Sequence, residues 1–520
     1  MGDFNHLSQE GLQWTGKPFG GIKQDIKRRL PHYLSDFKDG FSSKVAGTTI
    51  FMFFAALANA IAFGALTGTM TGNEIGITEM IVVTAIGGIA FALFSGQPLT
   101  ILGGTGPIVI FTGLLYVATG QLGIAFLPTY AWVGIWSGIF MLVLAFTDAS
   151  ALMRYFTRFT DEIFAALISV IFIVEAVKDV RSTFVVDDVN HSHSSSLLTL
   201  LLAIGTFMIS RWLKGMTKSP FLRRTLREFI SDFGPSIAII AMTFLAMSFP
   251  DITLSRPLVP NEIGTTSGRP WLVDIFGIPV WAMFASAGPA LLATILLFLD
   301  QNITTRLVNS AQNKLKKGPG YHLDLAVVGV IILVGSAFAL PWIVAATVHS
   351  LNHVKSLADM KVAKTDHGKV EEIASVRENR ISGLTVHLLI LTSLFFLGYV
   401  ALIPMPVLFG LFLYMGVASL AGNQFFERMT LWFKDPKLYP EAHYLNVVPS
   451  KVVHQFTIIQ FLCFVVLWVL KTSPAGILFP LFIAMLVPIR LFMAKFFKAE
   501  HLWALVKEDD DEEEELGIVI

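Results

Sequence analysis

Ser95-Gly96-Gln97-Pro98-Leu99-Thr100-Ile101-Leu102-Gly103-Gly104-Thr105-Gly106-Pro107 interrupts an otherwise apolar part of the chain. A second interruption, Leu340-Pro341-Trp342-Ile343-Val344-Ala345-Ala346-Thr347-Val348-His349, holds the matching place in the second half. Backbone that is not helical leaves amide groups unpaired, and lipid cannot satisfy them, so such segments persist only where protein or a watery cavity covers them. Two of them at corresponding positions of two halves point to the solute site of a carrier. Each break runs into a half-helix, expected near 106–119 and 349–358.

Composition supports a membrane setting. Of 520 residues, 54% are apolar and only 15% charged, and mean hydropathy is +0.66. A soluble chain carries nearer a quarter of charged residues. The 38 Lys and Arg equal the 38 Asp and Glu, so charge gives no reason to expect a nucleic acid partner. Cys463, the single cysteine, excludes an internal disulfide and reads as a small hydrophobe within an apolar run. The first forty residues are polar, so no cleavable signal peptide is expected.

Runs of about 17–25 apolar residues read as membrane helices. They fall near 43–64, 77–94, 125–147, 160–178, 196–212, 232–249, 281–310, 323–339, 380–401, 406–421, 453–470 and 475–496. With the two half-helices they make fourteen segments in two sets of seven. An odd number per set inverts the second copy, so the expected fold is an all-α polytopic protein with a 7+7 inverted repeat. The expected divisions are a cytoplasmic N-terminus with an interfacial helix (1–40), the first repeat (41–250), an extracellular loop (251–280), the second repeat (281–497) and an acidic cytoplasmic tail (498–520). This count places the basic clusters around Lys27 to Arg29, Arg223 to Arg227, Lys314 to Lys317 and Lys495 to Lys498 on one side, with both termini cytoplasmic. Residues 21–40 and 215–230 mix basic and apolar residues at helical spacing and read as interfacial helices. Asp509 to Glu515 reads as a solvated tail, with docking of a basic partner as the minority reading, and Asn190-His191-Ser192 fits a glycosylation sequon.

A charge within a span is costly and marks a site. Asp300 lies mid-span, and Thr304 follows one turn later on the same face. A carboxylate with hydroxyls suits a hard cation, sodium or a proton; the bland alternative is an ion pair with Arg306. The half-helix starts supply the opposite polarity, because free N–H groups and the helix dipole favour an anion. Two such ends facing each other, after Thr105 and after Thr347, would form an anion cradle. Gly103, Gly104 and Gly106 would admit the anion to the backbone, and His349 stands at the second half-helix start. Gly87, Gly88 and Gly134 read as helix packing. Asp161 and Glu162, beside Thr160, read as capping the span they begin; Asp148, Glu175 and Asp324 read as interfacial residues at span ends.

Longer motifs add a resemblance. Pro18-Phe19-Gly20-Gly21, Arg28-Arg29-Leu30-Pro31-His32-Tyr33-Leu34, Ser95 to Thr100, Thr105-Gly106-Pro107, Asp300-Gln301-Asn302-Ile303-Thr304, Gly320-Tyr321-His322-Leu323-Asp324-Leu325 and Pro404-Met405-Pro406-Val407-Leu408-Phe409-Gly410 are together similar to the bicarbonate transporter family of anion exchangers and sodium–bicarbonate cotransporters. The resemblance runs from Pro18 to Trp503 and does not include the large N-terminal cytoplasmic domain of animal members. It implies core and gate domains, a homodimer in the plasma membrane and an elevator-like cycle. It also implies that exchangers carry Glu at the position of Asp300 and Arg at that of His349, whereas sodium-coupled members carry Asp and an uncharged residue. Asp300, the absence of Arg at 349 and Thr147-Asp148-Ala149-Ser150 place this chain nearer the sodium-coupled branch. His349 and Gly103-Gly104 depart from that branch.

The leading expectation is secondary transport of bicarbonate or carbonate coupled to sodium. Asp300, Thr304 and Thr347 form its cation side, with sodium at Asp300 and Thr304. Gln97, Gly104, Thr105, Gly106, Val348 and His349 form its anion side. Sodium, the inorganic anion and, in exchange, chloride are cargo, and no cofactor is expected. The alternatives are electroneutral chloride/bicarbonate exchange and proton-coupled transport of another small anion such as borate. No nucleophile elbow, phosphate loop or metal-ligand spacing supports an enzyme.

Overall fold

In lipid, a run of apolar residues satisfies its own backbone by forming helix, and this chain does so nearly throughout. The computed structural model describes residues 11–185, 193–260, 263–365, 368–440, 442–473 and 475–506. The acidic run from Asp509 and the sequon at Asn190 lie outside the described residues. Helix α1 (Gly20–Arg29) precedes α2 (Ser43–Met70), α3 (Ile77–Phe94), α4 (Gly106–Leu122), α5 (Phe126–Phe146), α6 (Arg158–Val185), α7 (His193–Gly215) and α8 (Gly234–Met247). The second half runs through α9 (Ala287–Val308), α10 (Tyr321–Ser336), α11 (Thr347–Leu357), α12 (Ile381–Thr392), α13 (Met405–Leu420), α14 (Ser450–Thr472) and α15 (Phe479–Met493). A helix occupies each expected segment, but among the described residues eight are by themselves long and apolar enough to span a membrane. α4, α8 and α10 are shorter apolar helices, and α13 bends by 81° into the helix that follows it.

The helices pack as two bundles. α2, α3, α4, α5, α9, α10, α11 and α12 form the core bundle; α6, α7, α8, α13, α14 and α15 form the gate bundle. They meet where α9 touches α15, α2 touches α13 and α4 touches α6. The packing glycines behave as expected: a Cβ on Gly88 would lie 1.9 Å from His387, and one on Gly134 2.0 Å from Ser336. One departure from all-helix is a hairpin, Ala358–Thr365 paired with Gly368–Val376, directly after α11.

The N-terminal amphipathic segment differs from expectation. It is fastened to the core bundle by buried charges, where a helix merely resting on the interface would keep them in water. Asp148 accepts the Gly21 N–H at 2.8 Å and the Thr15 hydroxyl. Arg29, only 2% exposed, pairs with Asp36 at 3.0 Å and Glu378 at 3.1 Å. In the stretch 215–230, the helix begins only at Arg224 and runs to Asp232.

Asp25 accepts the N–H groups of His322 at 2.8 Å and Leu323 at 3.0 Å, and so caps α10 from a neighbouring helix. Burial pushes its carboxyl up to about 6, despite those N–H groups and Arg28. A carboxyl raised in the fold contributes its stability in full below the unfolded value near 3.8 and loses it as pH rises through about 6. Asp25→Asn keeps an accepting oxygen without the charge. It is expected to gain on the parent, by on the order of 2–3 kcal/mol, as pH rises from about 4 to about 7 in thermal unfolding.

Candidate functional site

The two interruptions meet as a two-stranded antiparallel ladder, β1 (Leu102–Gly103) against β2 (Val344–Ala345). This answers where their backbone polar groups go. Leu102 pairs with Ala345 and Gly103 with Val344, the Ala346 N–H donates to the Ile101 carbonyl at 2.8 Å, and the Ile101 N–H donates to Ser350 Oγ at 3.0 Å. The Gln301 side-chain oxygen accepts the Ala345 N–H at 2.9 Å. The ladder sets the starts of α4 and α11 beside each other, and no side chain caps either one. Their first-turn N–H groups thus retain the anion-favouring polarity of a helix start.

α9 runs past this junction with its polar face inward. Asp300 is 9% exposed and Thr304 fully buried. The Thr105 hydroxyl, at the start of α4, donates to Asp300 Oδ2 at 2.7 Å. Thr304 Oγ1 and Thr347 Oγ1, at the start of α11, share a hydrogen bond of 2.6 Å. One turn of α9 therefore touches both half-helix starts, and its carboxylate joins Thr105 rather than Arg306. The His349 ring meets the Ala55 carbonyl at 3.2 Å. That oxygen can only accept, so Nε2 must carry a proton in this contact. Val348 is 62% exposed and projects from the same turn.

Gln97 has a different place. Its side chain is fully buried; its Nε2 donates to Asn309 Oδ1 at 2.8 Å and its Oε1 accepts the Leu99 N–H at 3.3 Å. One end ties the loop to Asn309, just beyond α9, and the other holds the loop itself, so the side chain bonds to neither half-helix start. The glycines of the first break also pack closely against protein. A Cβ on Gly106 would meet Phe172 at 2.5 Å, one on Gly104 would meet Phe63 at 3.0 Å, and one on Gly103 would meet Asn59 at 2.9 Å. Phe63 and Gly106 of the core thus face Phe172 and Phe412 of the gate, whose rings lie 5.8–6.3 Å apart in this cluster.

Several contributors were not legible as site residues in the sequence. Asp324, expected at the interface, is 1% exposed and accepts the N–H groups of Gly96 at 2.6 Å and Gln97 at 3.1 Å. Asn59 donates to the Gly104 carbonyl at 3.3 Å. Only the Asp and Asn residue types in apolar runs signalled them. Asp161 and Glu162, expected as helix caps, reach other helices: Asp161 pairs with Arg306 at 2.5 Å and Glu162 with Arg428 at 2.7 Å. Thr160 turns back to its own chain, bonding the Thr157 carbonyl at 2.7 Å. Asp148 is likewise buried beneath the N-terminal segment, and Glu175 pairs with Lys471 at 2.9 Å.

Gly96 and Gly320 pack backbone against backbone. A Cβ on Gly96 would lie 2.7 Å from the Gly320 Cα, and one on Gly320 would lie 2.5 Å from the Gly96 Cα. Both obstacles are backbone and cannot turn aside. Gly96→Ala is expected to cost about 1–3 kcal/mol through overpacking and to lower flux by moving the ladder, read by thermal unfolding alongside transport in the same preparation.

The sequence profile of the HCO3- transporter integral membrane domain family matches residues 17–196 and 181–510. The chain is 37% identical to human (Homo sapiens) Band 3 anion transport protein, over 98% of this chain and 59% of that protein. It is equally 37% identical to the electrogenic sodium bicarbonate cotransporter 1 of Ambystoma tigrinum, over 96% of this chain and 56% of that protein. It therefore spans little more than half the length of these curated relatives. Among solved structures it resembles the transmembrane domain of the cyanobacterial bicarbonate transporter BicA, with TM-score 0.55 at 16% identity, covering 82% of this chain and 98% of that one. It also resembles murine Slc26a9 in the inward-facing state, with TM-score 0.60 at 13% identity, covering 89% of this chain and 71% of that one. These likenesses support the 7+7 inverted-repeat fold. By its match to this profile and to both kinds of relative, the chain belongs to the bicarbonate transporter family of multi-pass membrane proteins.

Proposed function

We propose that this chain carries bicarbonate or carbonate together with sodium across the plasma membrane, as a homodimer with both termini cytoplasmic. The observation that carries the reading is the buried carboxylate of Asp300, bonded to Thr105 at one half-helix start, with Thr304 one turn away and bonded to Thr347 at the other. Asp300, Thr304 and Thr347 supply oxygen ligands of the kind sodium takes. The backbone at Gly104, Thr105 and Gly106 and at Val348 and His349 supplies the anion side. A fixed positive group at 349 would hold the anion without help; a neutral imidazole leaves bound sodium to offset the anion's charge. Binding of either ion then favours binding of the other, which is the thermodynamic basis of coupled transport. The substrate travels with the core bundle as it moves against the gate bundle, in an elevator-like cycle.

The test is a bicarbonate gradient imposed on proteoliposomes containing a trapped pH dye. Sodium-dependent alkalinisation with chloride absent is the expected result. A second reading, chloride/bicarbonate exchange, is favoured by the equal identity to Band 3. It predicts no flux until chloride is supplied on the opposite side, with no requirement for sodium.

A further inference from the structure

We infer that Asp161 and Arg306 form an ionic latch between the two bundles on the N-terminal side of the membrane, and that it must open in every transport cycle. Arg306 is the last charged residue of α9 in the core bundle; Asp161 lies in the first turn of α6 in the gate bundle. Arg306 Nη2 meets Asp161 Oδ2 at 2.5 Å, and its Nη1 donates to the Phe156 carbonyl at 2.9 Å, on the connection between the bundles. One guanidinium thus holds both the gate helix and the segment leading into it. The pairs Arg29–Asp36, Arg428–Glu162 and Lys471–Glu175 each stay within one body. Asp161–Arg306 joins two.

Its position gives it leverage on the site. Arg306 is six residues beyond Asp300 on the same helix, about 9 Å along the axis. A displacement of α9 that carries Asp300 and Thr304 with their cargo must pull Arg306 from Asp161 or drag α6 with it. α6 is itself held in the gate by the buried Glu162–Arg428 pair, one residue from Asp161. The path of least resistance is to break the interbundle pair, whose two side chains are each about one-fifth exposed and can be rehydrated as they part. The latch therefore favours the conformation closed on this side and sets how often the site opens there. This inference rests on the proposed relative movement of the bundles, but not on which ions are carried.

The test places one reporter cysteine at Val348, whose side chain is exposed at the start of α11, in a Cys463→Ser background, which removes the only native thiol. A membrane-impermeant maleimide is applied from the side bearing the N-terminus. Asp161→Arg sets two cations against each other and is expected to raise the labelling rate at least fivefold. The exchange Asp161→Arg with Arg306→Asp restores the attraction and is expected to return labelling to the parent rate. Equal labelling of parent, single variant and exchange variant would overturn the latch. A second arm needs no charge reversal: Asp161→Cys with Arg306→Cys, without the reporter, joined by a short bis-maleimide. Cross-linked protein is expected to lose at least nine-tenths of its flux, and undiminished flux after complete cross-linking would also overturn the latch. Labelling reports movement whatever is carried. A latch that responds to charge in a protein carrying no bicarbonate supports this inference and overturns the proposed function.

Discussion

Asp300→Asn is expected to remove the sodium dependence of bicarbonate flux while leaving a folded, inserted protein. Asparagine keeps nearly the same volume and an oxygen able to accept from the Thr105 hydroxyl, which lies 2.7 Å from the carboxylate. The contact between α9 and the α4 start therefore survives, and the thermal midpoint in detergent should match the parent. What disappears is the negative charge. Interactions with a charged partner are worth about 1.5–3 kcal/mol more than nothing in its place, and each 1.4 kcal/mol is tenfold in affinity. The sodium concentration for half-maximal flux is thus expected to rise about 10- to 100-fold, or flux to vanish within the accessible range. Unchanged sodium activation in the variant would remove Asp300 from the cation site. Flux that is sodium-independent in the parent itself would turn attention to exchange and to His349.

Arg428→Leu is expected to be the most damaging single substitution for stability. Arg428 is fully buried. It pairs with Glu162 at 2.7 Å, donates to Gln424 at 3.1 Å and Gln460 at 2.9 Å, and lies over the rings of Tyr444 and Phe456. Through it α6 is tied to α14 and to the helix after α13. Leucine would fill part of the space but leave Glu162 with Arg158 as its remaining ion-pair partner, at 3.0 Å. Breaking a buried pair from one side typically costs about 3–5 kcal/mol, and with Arg158 still paired to Glu162 the lower end of that range is expected. The double variant Arg428→Leu with Glu162→Gln should recover part of that loss. A double-mutant cycle by thermal unfolding reads the coupling directly, and additive effects would show that the pair is not what holds these helices.

How much of this was legible beforehand depends on the range of the forces involved. The helices were legible, since apolar length and the burial of backbone polar groups act locally along the chain. The two breaks at 95–107 and 340–349 were legible for the same reason, and so was Asp300, because a charge inside an apolar run has no cheap explanation. Asp161, Glu162 and Asp324 were legible as unusual residues but not in their roles. At a helix end, a carboxylate bonding its own helix and one reaching another helix have the same local sequence. Asp161 finds Arg306 across 145 positions and Asp324 finds Gly96 across 228, and no local pattern records such partners. Gln97 was ambiguous for a related reason: a polar residue in a broken helix fits a ligand or a loop equally well, and only the fold places Asn309 beside it.

By itself the sequence determined that this chain crosses a membrane repeatedly, that it is built from two matching halves, and that its polar chemistry gathers at two interruptions and one carboxylate. These follow from what lipid permits, a constraint each segment meets on its own. Only the tertiary structure decided that the interruptions pair as a ladder, that Thr105 and Thr347 meet opposite ends of one turn of α9, and that Asp161 and Arg306 pair across the two bundles. Those contacts depend on how helices distant in sequence pack side by side, and packing is settled by the shape and polarity of many neighbours at once.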